Sequence, residues 1–285
     1  MTGKRRIDQF TLEVFGERMI AEKSIKILGI TIDKCLHFTE HARGVCGKAI
    51  RCYEALKKIL PNTGGARATK RKVLAAAVMS IVLYGSEVWG SAMKWGVAAN
   101  MTDRVTRLLA VSIASGYRTV QSDDIMVIAA LPPGQLMVRA RMEGWDKARL
   151  NQEWQERWER RQSWTRKLIP NLDNWVDRLH GEVGYHLTQF LTGHGENAVY
   201  LLRIGKRDSD ECVDCGDRDT EGHAVFECQR WTRGRIETET EVAATLQPEN
   251  IIQLMIESES KWTKIARFVI TVVQTREREA WTRGQ

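Results

Sequence analysis

Four residues in the last third of the chain carry the densest chemistry. Cys212 and Cys215 are separated by two residues, His223 follows after seven more, and Cys228 after a further four. Three thiolates and an imidazole at this spacing can close a tetrahedral zinc site with no open position, and a closed site holds structure instead of performing chemistry. The flanking residues suit that role. A Cys-x2-Cys pair wraps one ion only from a tight turn. Gly216, directly after the second cysteine, can take the positive φ that lets backbone N–H groups approach the sulfurs. His223 and Cys228 lie five apart, a little over one helical turn, so a short helix could present both. Asp217, Asp219, Thr220 and Gly222 supply a polar loop between the two halves. The competing reading is three buried cysteines and a surface histidine placed together by coincidence. With only 6 cysteines in 285 residues, the tight spacing favours the metal. A structural zinc site is worth about 10–16 kcal/mol, enough to decide whether its segment folds.

The remaining cysteines, Cys35, Cys46 and Cys52, have no paired spacing and read as reduced, buried thiols of an intracellular protein. A second site from Cys35, His37 and His41 is conceivable, but no fourth ligand sits nearby in the sequence, and loop and core roles are the simpler reading. Motifs for catalysis are missing: the chain has no Gly-x-x-x-x-Gly-Lys-Ser/Thr loop, no His-Glu-x-x-His and no Gly-x-Ser-x-Gly. Asp123-Asp124 is an adjacent acidic pair. A metal-binding polymerase pair needs a strand turn and a further carboxylate. Here the pair opens a helix, where acids complement the N-terminus. No catalytic residue is assigned.

The elements that must position the quartet are mostly helical. Residues 10–15 and 25–32 read as strands around a turn at Gly16, too few to stand alone, like the edge of a larger sheet. Thr39 is a candidate N-cap for a helix over 42–60, stopped by Pro61 and the Asn-Thr-Gly-Gly turn at 62–65. Further helices are expected over 66–84, most of 86–115, 123–130, 135–168, 185–202 with a break at Gly193-His194-Gly195, and 250–281. Leu150, Trp154 and Trp158 share a face and read as a packing stripe, with base stacking as the alternative. Glu153–Arg157 and Glu156–Arg160 suit an exposed face. The last helix is amphipathic around Ile251, Ile252, Met255 and Ile256, then Trp262, Ile265, Phe268, Val269 and Val272. The longest apolar run, 73–84, is broken by Ser80 and too short to span a bilayer, so it reads as a buried helix and no membrane partner is expected. Residues 1–9 are polar and show no secretory signal. Ten tryptophans are scattered and form no belt.

Hydrophobic content of 43% supports a core, and the net charge of +7 points to a polyanionic partner. The charge is concentrated. Residues 43–72 hold Arg43, Lys48, Arg51, Lys57, Lys58, Arg67, Lys70, Arg71 and Lys72 against Glu54 alone, nine minus one giving +8. Such a surface neutralises phosphates and releases their counterions, although a merely solvated basic face has the same composition. The zinc segment differs: residues 203–235 carry seven bases and eight acids, so it could touch nucleic acid only locally, through Arg230, Trp231 and Arg233, and a docking role is equally open.

Taken in order, several stretches resemble the C-terminal part of a non-LTR retrotransposon polyprotein, most closely the insect type-1 elements that insert into ribosomal DNA. They are Ile-Leu-Gly-Ile-Thr-Ile-Asp at 27–33 with Leu-His-Phe-Thr-Glu-His at 36–41; Val-Leu-Tyr-Gly-Ser-Glu-Val-Trp at 82–89; Tyr-Arg-Thr-Val at 117–120 with Asp124 and Ala-Leu-Pro-Pro at 130–133; Gln-Phe-Leu-Thr-Gly-His-Gly at 189–195; and Phe-Glu-Cys-Gln-Arg-Trp at 226–231. The resemblance implies a mainly α fold. Residues 1–33 would end a polymerase palm, 34–115 would form a helical thumb, 116–200 a helical connector, 201–235 a zinc module and 236–285 a C-terminal helical region. It implies a parent RNA-directed DNA polymerase and endonuclease that uses Mg2+, with RNA, RNA–DNA or DNA duplex and the upstream domains as partners, and work in the nucleus at the integration site. The family's Tyr/Phe-Ala-Asp-Asp turn has no counterpart here, so this chain is expected to bind template–primer and zinc without polymerising alone. The alternative is a zinc-dependent protein-interaction module of a repurposed element, docking through zinc and the last helix.

Overall fold

The N-terminal β segment folds as two separate hairpins. In the computed structural model, which describes residues 11–20, 22–58 and 66–283, β1 (Thr11–Val14) pairs antiparallel with β2 (Glu17–Ile20), and β3 (Ser24–Ile27) with β4 (Ile30–Asp33). The run 25–32 is therefore not one strand. Leu28 and Gly29 both take positive φ (48° and 87°), the two-residue turn whose twist matches antiparallel strands. Phe15 and Gly16 repeat the device in the first hairpin. Asp33 then fixes the turn into the helices: its carboxylate accepts the backbone N–H groups of Cys35, His37 and Phe38 at 2.7–3.2 Å.

The rest is helical, as the composition and periodicity imply. The helices are α1 (Thr39–Lys57), α2 (Ala68–Leu83), α3 (Ser86–Trp89), α4 (Gly96–Ala114), α5 (Ser122–Ile128), α6 (Gly134–Glu143), α7 (Lys147–Glu159), α8 (Trp164–Leu168), α9 (Leu172–Val176), α10 (Tyr185–Thr192), α11 (Ala198–Arg203), α12 (His223–Phe226), α13 (Thr232–Val242), α14 (Ile251–Glu257) and α15 (Glu259–Arg283). Thr39 opens α1 as its first helical residue, and Phe38, with φ 53°, occupies the cap without a side-chain bond. The turn expected at 61–65 lies outside the described residues.

Long expected helices break where local chemistry offers a stop. Residues 135–168 divide at Gly144, which takes φ 68°, and again before Ser163, whose hydroxyl accepts the N–H of Arg166 as an N-cap. The stretch 250–281 bends at Ser258, where the backbone is extended (ψ 153°). The run 73–84 is only half buried: Val78, Met79 and Val82 face inward, whereas Val73 and Tyr84 are exposed. No single helix among the described residues is long and apolar enough to cross a membrane.

Tryptophan dominates the interior. Trp89, Trp154, Trp158 and Trp175 are almost fully buried, so the 150–158 stripe packs instead of stacking bases. Burying an indole requires a partner for its N–H. Trp89 donates to the carbonyl of Tyr84, Trp158 to Ile169 and Trp175 to Val127, at 2.8–3.0 Å. The first closes the turn between α2 and α3, and the other two tie one helix to the backbone of another or of its C-cap. A single apolar cluster runs from Ile30 through these rings to Val272 and includes Ala224 and Val225 of α12.

Charged residues placed between helices add specificity. Arg157 does not pair with Glu153; it bridges Asp103 and Asp123 across α4, α5 and α7, and Glu153 lies near Arg139 instead. Asp124, buried at the start of α5, accepts the Ser163 hydroxyl at 2.8 Å. The acidic pair therefore fastens neighbouring helices as well as complementing its own N-terminus. Trp158→Ala is expected to cost about 3–5 kcal/mol in urea denaturation. Trp281→Ala, on an exposed ring, should stay within about 0.5 kcal/mol.

Candidate metal centre

The cysteine–histidine quartet comes together. The Sγ atoms of Cys212, Cys215 and Cys228 and one ring nitrogen of His223 all lie within 4.8 Å of one another. Cys228 Sγ is 3.9 Å from both Cys212 Sγ and Cys215 Sγ, and His223 Nε2 is 3.1 Å from Cys215 Sγ. Two sulfurs each about 2.3 Å from one tetrahedral ion would stand roughly 3.8 Å apart, so the sulfur spacing matches a shared ion.

Local backbone chemistry produces this convergence. The Cys212–Cys215 turn closes by two backbone bonds, Gly216 N–H to the Cys212 carbonyl (2.9 Å) and Cys212 N–H to the Asp217 carbonyl (2.7 Å), with Gly216 at φ 82°. A bridge between Glu211 and Arg218 flanks it. His223 opens α12, but that helix ends at Phe226, so Cys228 does not share it. Cys228 instead arrives from the following turn, where its N–H donates to the His223 carbonyl at 2.9 Å. His223 Nδ1 lies 3.2 Å from the Glu227 carboxylate, which orients the ring and leaves Nε2 for the sulfurs. Cys212, His223 and Cys228 are buried, whereas Cys215 is half-buried. The Asp217 N–H is the strongest single influence on Cys215 and lowers its pKa, but desolvation and hydrogen bonds with Cys212, Cys228 and the Asp217 side chain together push it up to about 12. Clustered thiols resist ionisation together unless a cation compensates them. The donor set can hold a metal ion and fits zinc.

The elements around the quartet are bound to it by charge. Asp219, with 0% exposure, receives both arms of the Arg276 guanidinium from α15, one at 3.0 Å, and its Oδ2 also accepts the N–H of Ala198 on α11 at 2.8 Å. Nearby, Arg230 is shared between Asp214 (2.7 Å) and Glu279 of α15. Arg230 is thus committed to acids, Trp231 packs against the core, and of the expected local contacts Arg233 alone stays fully outward, beside Glu237. Arg276 was missed in the sequence, yet a signal existed: it continues the spacing of Ile265, Val269 and Val272 and is therefore a charge on an apolar stripe.

The second cysteine group resolves differently. Asp33, Cys35 and His37 approach one another, but the Asp33 carboxylate already serves three backbone N–H groups. His41 is buried elsewhere, its Nδ1 accepting the Thr31 N–H at 3.2 Å. Cys46 is buried as expected, and burial pushes its thiol up to about 12; Cys52 is half-buried and Cys35 is exposed, against expectation.

On the basic element, Arg43, Lys48, Arg51, Lys58, Arg67, Lys70 and Lys72 are exposed and Lys57 is half-exposed. Helical spacing puts Lys48, Arg51 and Lys58 on the face of α1 opposite buried Ala42, Cys46, Ala49 and Tyr53. Arg71 departs from the group. At 3% exposure it donates to the carbonyls of Ala66 (2.6 Å) and Ser112 (3.0 Å), joining the start of α2 to the end of α4. It is structural and leaves the candidate phosphate-contacting surface.

This helical chain with a Cys-Cys-His-Cys centre is similar along most of its length to retrotransposon Pol polyproteins. It is 23% identical over 286 residues to the Retrovirus-related Pol polyprotein from type-1 retrotransposable element R1 4 of Nasonia vitripennis, covering 86% of this chain and 70% of that protein. It is 22% identical over 302 residues to the corresponding protein of element R1 2 from the same organism, covering 94% and 73%. No family model and no solved structure matches.

Chelation of a zinc-loaded sample is expected to lower the melting temperature and release one zinc per chain, measured by circular dichroism and metal analysis. Arg276→Met should destabilise by about 3–5 kcal/mol, because it leaves a buried carboxylate without its cation. Adding Asp219→Leu should recover part of that loss.

Proposed function

We propose that this chain is the C-terminal part of a retrotransposon reverse-transcriptase polyprotein. In this reading it binds a template–primer duplex through the exposed bases of α1 and α2 and uses zinc to fold the Cys212–Cys228 segment. Residues 34–115 act as the thumb, and the parent supplies polymerase, endonuclease, Mg2+ and the nuclear setting. The observation that carries this is the similarity to Pol polyproteins over 86–94% of the chain. It is joined by a +8 element whose charges, Arg71 apart, point into solvent or sit at its edge. Exposed Lys and Arg on one helix face exchange counterions with phosphates, which predicts steep salt dependence and little sequence preference.

The rival reading, a zinc-dependent protein-docking module, needs the last helix free. Its apolar stripe of Trp262, Ile265, Phe268, Val269 and Val272 is instead buried in the chain's own core. That favours the nucleic-acid reading.

Charge reversal at Lys48, Arg51 and Lys58 is expected to weaken RNA–DNA duplex binding by at least about tenfold and to flatten the slope of log affinity against log salt by roughly one per lost contact. Fluorescence anisotropy across a salt series measures both. Unchanged affinity and slope would sink the assignment. Arg71→Met, by contrast, should lower thermal stability more than it lowers affinity in the folded protein.

A further inference from the structure

Between α8, α11 and the metal-holding loop lies a cleft of about 980 Å3 that involves neither the quartet nor the basic face of α1 and α2. Its walls mix cations with rings: Arg161, Lys167 and Arg203 stand with Trp164, His194 and Tyr200. The cations come from three places, the segment after α7, α8 and the end of α11, so folding and not a sequence run gathers them.

The floor is built for close contact. The Trp164 indole donates to the Phe190 carbonyl at 2.7 Å and packs edge-on to Phe190 and Phe226. A Cβ on Gly222 would sit 2.6 Å from this ring, so that glycine makes room for its seat, and one on Gly193 would lie 3.3 Å away, a tight contact. Gly222 immediately precedes ligand His223, and Thr220 and Glu221 of the same loop line the cleft. The metal loop is therefore one wall.

The other wall is aromatic. His194 and Tyr200 lie with ring centroids 4.8 Å apart, and the Arg203 guanidinium covers the Tyr200 ring at 5.2 Å. Arg203 is exposed. Lys167 stands over the Trp164 ring at 5.9 Å and meets the exposed Glu249 at 3.2 Å, a screened ion pair that a phosphate can replace. Arg161 stands 3.6 Å from Asp123. Two acids also line the cleft: Asp124, whose pKa is raised by burial and which is bonded to Ser163, and Glu221. Among the lining side chains cations outnumber acids three to two; Arg161 and Lys167 each have an acid neighbour outside the lining, and no acid pair is found for Arg203 among the described residues.

We infer that this cleft takes unpaired nucleotides of a single-stranded nucleic acid, a base stacking at Tyr200 and His194 and a phosphate meeting Arg203 and Lys167. The inference rests on the nucleic-acid reading above and extends it from duplex to single strand. Rings beside cations suit any base, because every base has a π-face and guanidinium planes stack on it as well. A half-open cleft of about 980 Å3 has room for a nucleotide or two.

The test uses the full zinc-loaded chain and labelled short oligo-U and oligo-dT, compared with an RNA–DNA duplex by anisotropy. Tyr200→Ala should weaken single-strand binding about five- to a hundredfold, the effect of losing one stacking ring. Lys167→Glu with Arg203→Glu, both on exposed side chains, should weaken it at least about tenfold while leaving duplex affinity within about twofold. A 4-thiouridine oligomer should crosslink to the peptides holding Trp164 or Tyr200. Parental single-strand affinity in these variants, equal loss of single strand and duplex, or crosslinks confined to other segments would overturn the proposal. Free UMP competing as well as the oligomer would also overturn it, by moving the site to mononucleotides. Reversal of Lys48, Arg51 and Lys58 separates the two readings, since it should remove duplex binding and spare the single strand.

Discussion

The C-terminal half depends on the ion pair between Asp219 and Arg276. Both groups are buried, and desolvating them costs several kcal/mol per ion before their attraction returns it. The pair is tolerable because every strong acceptor is used: two guanidinium arms and the Ala198 N–H meet one carboxylate. One side chain thereby fixes three elements, the ligand loop, α11 and the 25-residue α15. Arg230, held by Asp214 and Glu279, adds a second tie along the same helix. The loop that carries the quartet is consequently oriented by charge as well as by its own backbone turn.

The same logic recurs in the N-terminal half with different chemistry. Arg71 donates to two carbonyls and Arg157 bridges two aspartates, so long cations act as struts where helices meet. Tryptophan N–H groups do the same where the junction is apolar. Surface charge is left to α1 and the start of α2, where Lys48, Arg51 and Lys58 are exposed and bridge no helices among the described residues. Bases that hold the fold and bases free to meet a partner are thus different residues, even when adjacent in sequence like Lys70 and Arg71.

Much of this is legible in the amino-acid sequence. The quartet's spacing foretold its convergence, because a two-residue gap and a turn glycine leave few other geometries for Cys212 and Cys215. Helical periodicity located α1, α2, α10 and the apolar stripe of α15. What failed was local punctuation and long-range pairing. A β-branched run hid the Leu28-Gly29 turn, since a leucine at positive φ gives no compositional warning. Ser163 and Ser258 read as ordinary helix residues until their capping or extended backbone was visible. Arg157 was matched to its neighbour four residues back, whereas its partners lie 34 and 54 residues away, a distance that pattern reading does not reach. The aromatic and basic wall around Trp164 was invisible for the same reason: its members are spread over more than forty residues.

The placement of Ala224 and Val225 has a different kind of consequence. They sit between two ligands, on the short α12, and their side chains belong to the apolar cluster of the whole chain. Many small metal-binding units carry their own miniature core and can be moved between proteins like cassettes. The Cys212–Cys228 segment instead borrows its core from α15 and its neighbours, so it cannot be excised or grafted without them. Recombination that preserved the four ligands but exchanged the last helix would yield a segment with the right spacing and nothing to fold against.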